Sequence, residues 1–208
     1  MIDGRYKAEI DRYWDVIARR LAQTGLTPNQ ITWTGLALIL ASSGLYLWHK
    51  DNLWFGVSLA VAFSFDALDG AVARITERTS RYGGYLDAVV DRYQEVVVFL
   101  AIAWVNDYWL VAFLAMTGAL LTSYNKARTA IEIPVDNVAW PDLLERLERI
   151  ILVCAALMLD PVVNAWIELP EAFLFYALVL LAALSHATAV QRFFRARGML
   201  RSEPDTDS

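Results

Sequence analysis

Asp66-Ala-Leu-Asp69-Gly70-Ala-Val-Ala73-Arg74, followed after eight residues by Gly83-Gly-Tyr-Leu-Asp87-Ala-Val-Val-Asp91, is the stretch that decides how this chain folds. Both halves lie inside or at the edges of long apolar runs. A carboxylate in hydrocarbon is costly, so it must be paired, protonated, hydrated or bound to a metal. Residues three or four apart share a helix face. Asp66 and Asp69 are three apart and Asp87 and Asp91 are four apart, so two helices each present a carboxylate pair. Gly70 and Gly83 remove side chains where helices or a substrate come close. Oxygen-only ligands select Mg²⁺, Mn²⁺ or Ca²⁺ over zinc or copper. Two such ions can clamp a phosphoryl transfer.

The rest of the chain supplies the setting. Of its 208 residues 57% are hydrophobic and 20% charged. Apolar blocks alternating with charged blocks indicate a polytopic membrane protein. The expected fold is all-α, with six transmembrane helices over roughly 30–48, 53–74, 84–105, 107–127, 147–166 and 171–192. Before them, Ile10, Tyr13, Trp14, Ile17 and Leu21 recur at helical spacing among Arg12, Asp15, Arg19 and Arg20. Residues 1–22 therefore read as an amphipathic juxtamembrane helix at the membrane surface. Thr27 as N-cap with Pro28 at the first helical position starts the first span. Residues 23–198 form one six-helix domain, and the acidic stretch 199–208 reads as a disordered tail. The connection at 129–145 holds Pro134 and Pro141 and reads as a loop. The N-terminus lacks an apolar core of the length a cleavable signal needs. Cys154 is the one cysteine, so no internal disulfide forms.

Basic residues set the orientation. Arg5, Lys7, Arg12, Arg19 and Arg20 precede the first span. Arg74, Arg78 and Arg81 mark the second connection, Lys126, Arg128, Arg146 and Arg149 the fourth, and Arg192, Arg195, Arg197 and Arg201 the C-terminus. The odd connections hold only Lys50. Both termini and the aspartate site then face the cytoplasm, in the cell membrane. Trp48, Trp54, Trp104, Trp109 and Trp166 fall at span ends on the opposite side, as an interfacial aromatic belt does. The expected partners are membrane lipids and not nucleic acid. Neither His49 nor His186 has acids nearby in sequence to make a metal site; His186, inside a span, is expected to hydrogen-bond a neighbouring helix.

Spacing alone leaves two other readings of the aspartates. They could be buried carboxylates paired with Arg74, Arg81 and Arg92, or the ion path of a coupled transporter. Four acids against three arginines leave surplus negative charge, which favours a cation site.

Asp66-x2-Asp69-Gly70-x2-Ala73-Arg74-x8-Gly83-x3-Asp87-x3-Asp91 resembles the signature of the CDP-alcohol phosphatidyltransferases, with eight specified positions over 26 residues. The expected six spans, the surface helix and the Thr27-Pro28-Asn29 turn are also similar to that family. The resemblance implies a reaction in which an acceptor hydroxyl attacks the lipid-bearing phosphorus of a CDP-linked lipid and CMP leaves. It implies two divalent ions, Mg²⁺ or Mn²⁺, on Asp66, Asp69, Asp87 and Asp91, with Asp91 also the general base. Asp66, Asp69, Gly70, Ala73, Arg74 and Gly83, with Pro28 and Asn29, would line the CDP-lipid site. Homodimerisation is implied in the same way.

The acceptor must be read from the remaining cations. Ser123-Tyr-Asn-Lys126-Ala-Arg128 ends the fourth span, Glu145-Arg146-Leu147-Glu148-Arg149 opens the fifth, and Gln191-Arg192 ends the sixth. Arginine holds a dianionic phosphate bidentately. These segments resemble those of the family's phosphatidylinositol-phosphate synthases and their archaeal counterparts. That resemblance implies that Ser123, Lys126, Arg149 and Arg192, with Arg128 and Arg146 as lesser members, bind the phosphate of a phosphorylated polyol, inositol 1-phosphate in the first place. Leu147 and Gln94-Glu95 depart from that pattern. Glycerol 3-phosphate is the alternative acceptor, and an amino-alcohol or serine would need fewer cations.

Overall fold

A computed structural model describes residues 16–133 and 143–202. Ile10, Tyr13 and Trp14, Pro134 and Pro141, and the acidic stretch 203–208 lie outside the described residues. The described residues form helices joined by short turns, with no strand among them. Helix α1 covers 16–23. It is followed by α2 (Pro28–His49), α3 (Asn52–Ile75), α4 (Arg81–Asn106), α5 (Trp109–Glu132), α6 (Arg146–Trp166) and α7 (Phe173–Ser202). By length and composition α2, α3, α6 and α7 can each cross a membrane. Helices α4 and α5 are as long, with 26 and 24 residues. Helix α4 carries Arg81, Asp87, Asp91, Arg92 and Glu95, and α5 ends in a polar stretch with Lys126, Arg128 and Glu132.

The described chain divides into two compact units, the first ending at Ala101 and the second beginning at Ile102.

In the first unit, α2 and α3 form a hairpin. Ile31, Gly35, Ile39, Ser43 and Tyr46 make the buried stripe of α2, spaced three or four apart. Tyr46 stacks on Phe55 with ring centroids 4.0 Å apart. Its hydroxyl reaches Asn52 Oδ1 at 2.5 Å. Lys50 adopts φ 54° at the turn, and Asp51 caps α3 by accepting from Trp54 N. The start of α2 is built as expected: Thr27 accepts from Gln30 N, Gln30 Oε1 accepts from Thr27 N, and Pro28 occupies the first turn. Helix α1 packs on the base of this hairpin through Ala18, Leu21 and Ala22 against Ile31, Leu68, Ala71 and Val72. Ile17, expected on the face turned to the membrane surface, is exposed together with Val16.

The second unit is a seam of small residues. A Cβ on Gly118 would stand 2.8 Å from Ser185 Cβ, so α5 and α7 approach as closely as glycine allows. Thr122 Oγ1 lies 3.1 Å from Ser185 O, and Asn125 Nδ2 donates to Ala189 O at 3.0 Å. His186 Nε2 lies 3.1 Å from Leu114 O, the interhelical bond its position in a span called for. Between helices whose surroundings are themselves apolar, such close contacts and polar bridges replace the hydrophobic drive of a soluble core. Asp160 Oδ1 accepts from Asn164 Nδ2 and from Leu174 N, tying the end of α6 to the first turn of α7.

Two boundaries differ from expectation. Helix α5 continues to Glu132 because Arg128 pairs with Glu132 and Thr129 hydrogen-bonds Asn125 O, so 129–132 are not loop. Helix α7 continues to Ser202, ten residues past the expected span end. Residues 199–202 are therefore helical and not part of a disordered tail; Arg, Ala, Met and Leu sustain the helix there once the apolar run has ended.

Candidate active site

The site is built at the junction of α2, α3 and the first turns of α4, within the first unit. Helix α3 ends in a Schellman motif. Arg78 N donates to Ala73 O at 2.9 Å, Glu77 N donates to Arg74 O, and Glu77 takes φ 55° where glycine is usual. That turn sends the chain straight into α4, whose first amides are met by Ser80: Gly83 N donates to Ser80 Oγ at 2.9 Å. Short connection and tight cap place the end of α3 and the start of α4 around one opening.

That opening is a cavity of about 250 Å³. It brings together Pro28, Asn29, Asp69, Gly70, Ala73, Arg74, Gly83 and Asp87, eight of the residues singled out in the sequence. Thr32, Arg78, Thr79, Ser80 and Gly84 complete its wall and were not anticipated. Gly83 has a local reason: a Cβ there would sit 3.1 Å from Ser80 Oγ and 3.4 Å from Asn29 Oδ1. A Cβ on Gly70 would meet Arg74 Nη1 at 3.5 Å, so the guanidinium folds back over this bare position.

Asp69 is buried and accepts a 2.5 Å hydrogen bond from Thr32 Oγ1. The charges of Asp87 and Asp66 both bear on it. Asp66 accepts from Gln94 Nε2 at 3.0 Å and is not among the residues lining the cavity. Asp91 is also outside that lining; Arg92 Nη2 lies 3.4 Å from its Oδ2, and Arg92 Nη1 lies 3.3 Å from Glu95. One of the three arginine pairings weighed from the sequence is therefore present. Among the described residues, no three histidine, cysteine, aspartate or glutamate side chains form a ready cage for an ion. The cavity offers two carboxylates, Asp69 and Asp87, with Asp66 one helical turn before Asp69. A small, hard cation that keeps waters and substrate phosphate oxygens in its shell needs only one or two protein carboxylates, so this donor set fits Mg²⁺ or Mn²⁺. Arg74 and Arg78 on the same wall suit phosphate, and the small residues between them leave room for a flat nucleotide.

The basic residues expected for the acceptor lie in the second unit. Arg149 and Arg192 are buried. Arg149 Nη1 lies 3.4 Å from Leu144 O, and Arg192 Nη1 donates to Thr122 O at 2.6 Å. Ser123 Oγ donates to Ala119 O, and Lys126 is half-buried on the same helix. Arg128 is exposed and engaged with Glu132.

The sequence profile of the CDP-alcohol phosphatidyltransferases matches residues 25–196. The chain is 34% identical over 199 residues to the archaetidylinositol phosphate synthase of Pyrococcus horikoshii, covering 95% of this chain and 97% of that protein. Its structure is similar to the phosphatidylinositol phosphate synthase of Mycobacterium tuberculosis crystallised with CDP-DAG bound. The TM-score is 0.78 at 25% identity, over 95% of this chain and 98% of that one. It is also similar to the same enzyme in complex with manganese and citrate, with a TM-score of 0.76 at 26% identity, over 94% and 92% of the two chains.

Proposed function

This chain belongs to the CDP-alcohol phosphatidyltransferase family, and from that premise we propose that it joins a CDP-linked lipid to a phosphorylated polyol, inositol 1-phosphate, with release of CMP. The observation that carries the reading is the cavity: Asp69 and Asp87, Arg74 and Arg78, and the small residues Gly70, Ala73 and Gly83 share one wall system. The CDP moiety lies there, with its phosphates toward the two guanidiniums and the turn at Pro28 and Asn29 beside it. The relatives' names and the CDP-DAG and manganese complexes support the same substrates and a divalent ion.

Asp66, Asp69, Asp87 and Asp91 would hold Mg²⁺ or Mn²⁺, two ions in the full site. When bound, such ions would supply positive charge to polarise the phosphate and offset the charge developing on its oxygens. Asp91 takes the proton of the acceptor hydroxyl. The new O–P bond forms at the lipid-bearing phosphorus, the bridging P–O bond breaks, and CMP departs with that oxygen. The acceptor's own phosphate is taken by Ser123, Lys126, Arg149 and Arg192, with Arg128 a peripheral contributor. Buried guanidiniums on α6 and α7 suit a dianion. All six long helices, α2 to α7, cross the cell membrane, α1 lies along its surface, both termini and the cavity face the cytoplasm, and the protein is a homodimer.

Kinetics of Arg149→Ala and Arg192→Ala test the acceptor assignment. Each is expected to raise the acceptor KM by about 10-fold or more, the scale of a lost charged hydrogen bond, and to leave the CDP-lipid KM near wild type. Equal rises in both constants would show that these arginines do not read the acceptor phosphate.

A further inference from the structure

Two side chains outside the aspartate motif bear directly on its carboxylates. Thr32, on α2, is buried and its hydroxyl lies 2.5 Å from Asp69 Oδ2. A threonine in mid-helix ordinarily returns its proton to the carbonyl four residues back; here that carbonyl, Pro28 O, is 3.1 Å away and the carboxylate is nearer. The charge-assisted bond is the stronger of the two. Gln94, on α4, has no exposed surface and donates through Nε2 to Asp66 Oδ1 at 3.0 Å. The contact needs a gap in α2, and Gly35 makes it: a Cβ there would lie 3.2 Å from Asp66 Oδ1 and 3.5 Å from Gln94 Nε2. Helix α2 thus gives a hydroxyl to one aspartate and, three residues on, a hole for the amide that meets the other.

A buried amide and a buried hydroxyl among apolar helices are costly unless each has a partner. If packing alone were served, valine at 32 and leucine at 94 would do it at lower cost. Two like charges three residues apart on one helix repel and spread over rotamers unless something fixes them.

We propose that Thr32 and Gln94 are positioning residues for the divalent-cation site, holding Asp69 and Asp66 in the rotamers that receive the ion, with Gly35 admitting the Gln94 side chain. This rests on the cation reading above. Partners that orient metal-binding carboxylates contribute about 10- to 100-fold to metal affinity.

The test uses the full-length protein in detergent and Mn²⁺ alone as probe, with free Mn²⁺ read by its paramagnetic resonance signal and the thermal midpoint recorded without metal. Thr32→Val and Gln94→Met are expected to weaken Mn²⁺ binding about 10- to 100-fold, while Thr32→Ser, which keeps the hydroxyl, restores most of it. In turnover assays the Mn²⁺ needed for half-maximal rate should rise by the same factor, and in Gln94→Met, whose side chain is not part of the cavity lining, the CDP-lipid KM at saturating Mn²⁺ should stay near wild type. Wild-type Mn²⁺ affinity in both Thr32→Val and Gln94→Met would overturn the positioning role and leave the cation site standing. Failure of the wild-type protein to bind Mn²⁺ would overturn both. If Thr32→Val does not fold, as its metal-free thermal midpoint would show, Gln94→Met decides by the same criterion.

Discussion

Asp91 lies beside Arg92 and, like Asp66, outside the lining of the cavity that holds Asp69 and Asp87. If it is the group that takes the acceptor's proton, Asp91→Asn should lower the rate of CMP release by about 10²- to 10⁴-fold, the usual contribution of a general base, with only a modest loss of Mn²⁺ binding. Single-turnover CMP release with saturating Mn²⁺ checks this; full activity in the variant would remove Asp91 from the chemistry. At this scale much of the site was legible. Carboxylates and glycines in an apolar run have few other uses, so Asp69, Gly70, Gly83 and Asp87 could be singled out from their spacing, while Ala73 and Arg74 were implied by the family resemblance. Thr32 and Gln94 could not. A threonine in a span is usually satisfied by its own helix, and a lone glutamine has no spacing signal. Only the folded neighbourhood shows which carboxylate each one meets. Gly35 and Gly118 were missed in the same way, because what a glycine makes room for lies on another helix.

The helices themselves were the most legible feature. All six long apolar runs became helices, and the Thr27-Pro28 start formed the expected capping box. Ends were harder to read where charged residues follow an apolar run. Such residues end a hydrophobic signal without ending a helix, as Glu132 and Ser202 show. At about 1.5 Å per residue, the 30 residues of α7 exceed what a bilayer core requires. On the proposed topology its last turns, with Arg195, Arg197 and Arg201, would project on the cytoplasmic side. Single cysteines in a Cys154→Ala background test this topology. Val16→Cys and Ser202→Cys should react with a membrane-impermeant maleimide only from the cytoplasmic face, and Glu168→Cys only from the other. Labelling of Ser202→Cys and Glu168→Cys from the same side would contradict a membrane-crossing α7.

For the whole molecule, the residues with proposed roles fall in both units. The first contains the four aspartates, the cavity at the end of α3, Thr32 and Gln94. The second contains Arg149 and Arg192, the buried arginines proposed for the acceptor. Sequence showed both sets of charged residues. The central claim is a metal-dependent transfer to a phosphorylated polyol, and it is tested most directly by CMP release from the purified protein with a CDP-lipid and Mg²⁺. Inositol 1-phosphate, glycerol 3-phosphate, free inositol and serine are offered in parallel. The account predicts metal-dependent release with inositol 1-phosphate, slower release with glycerol 3-phosphate, and none above background with free inositol or serine. Release with free inositol or serine that matches the phosphorylated acceptors would contradict it.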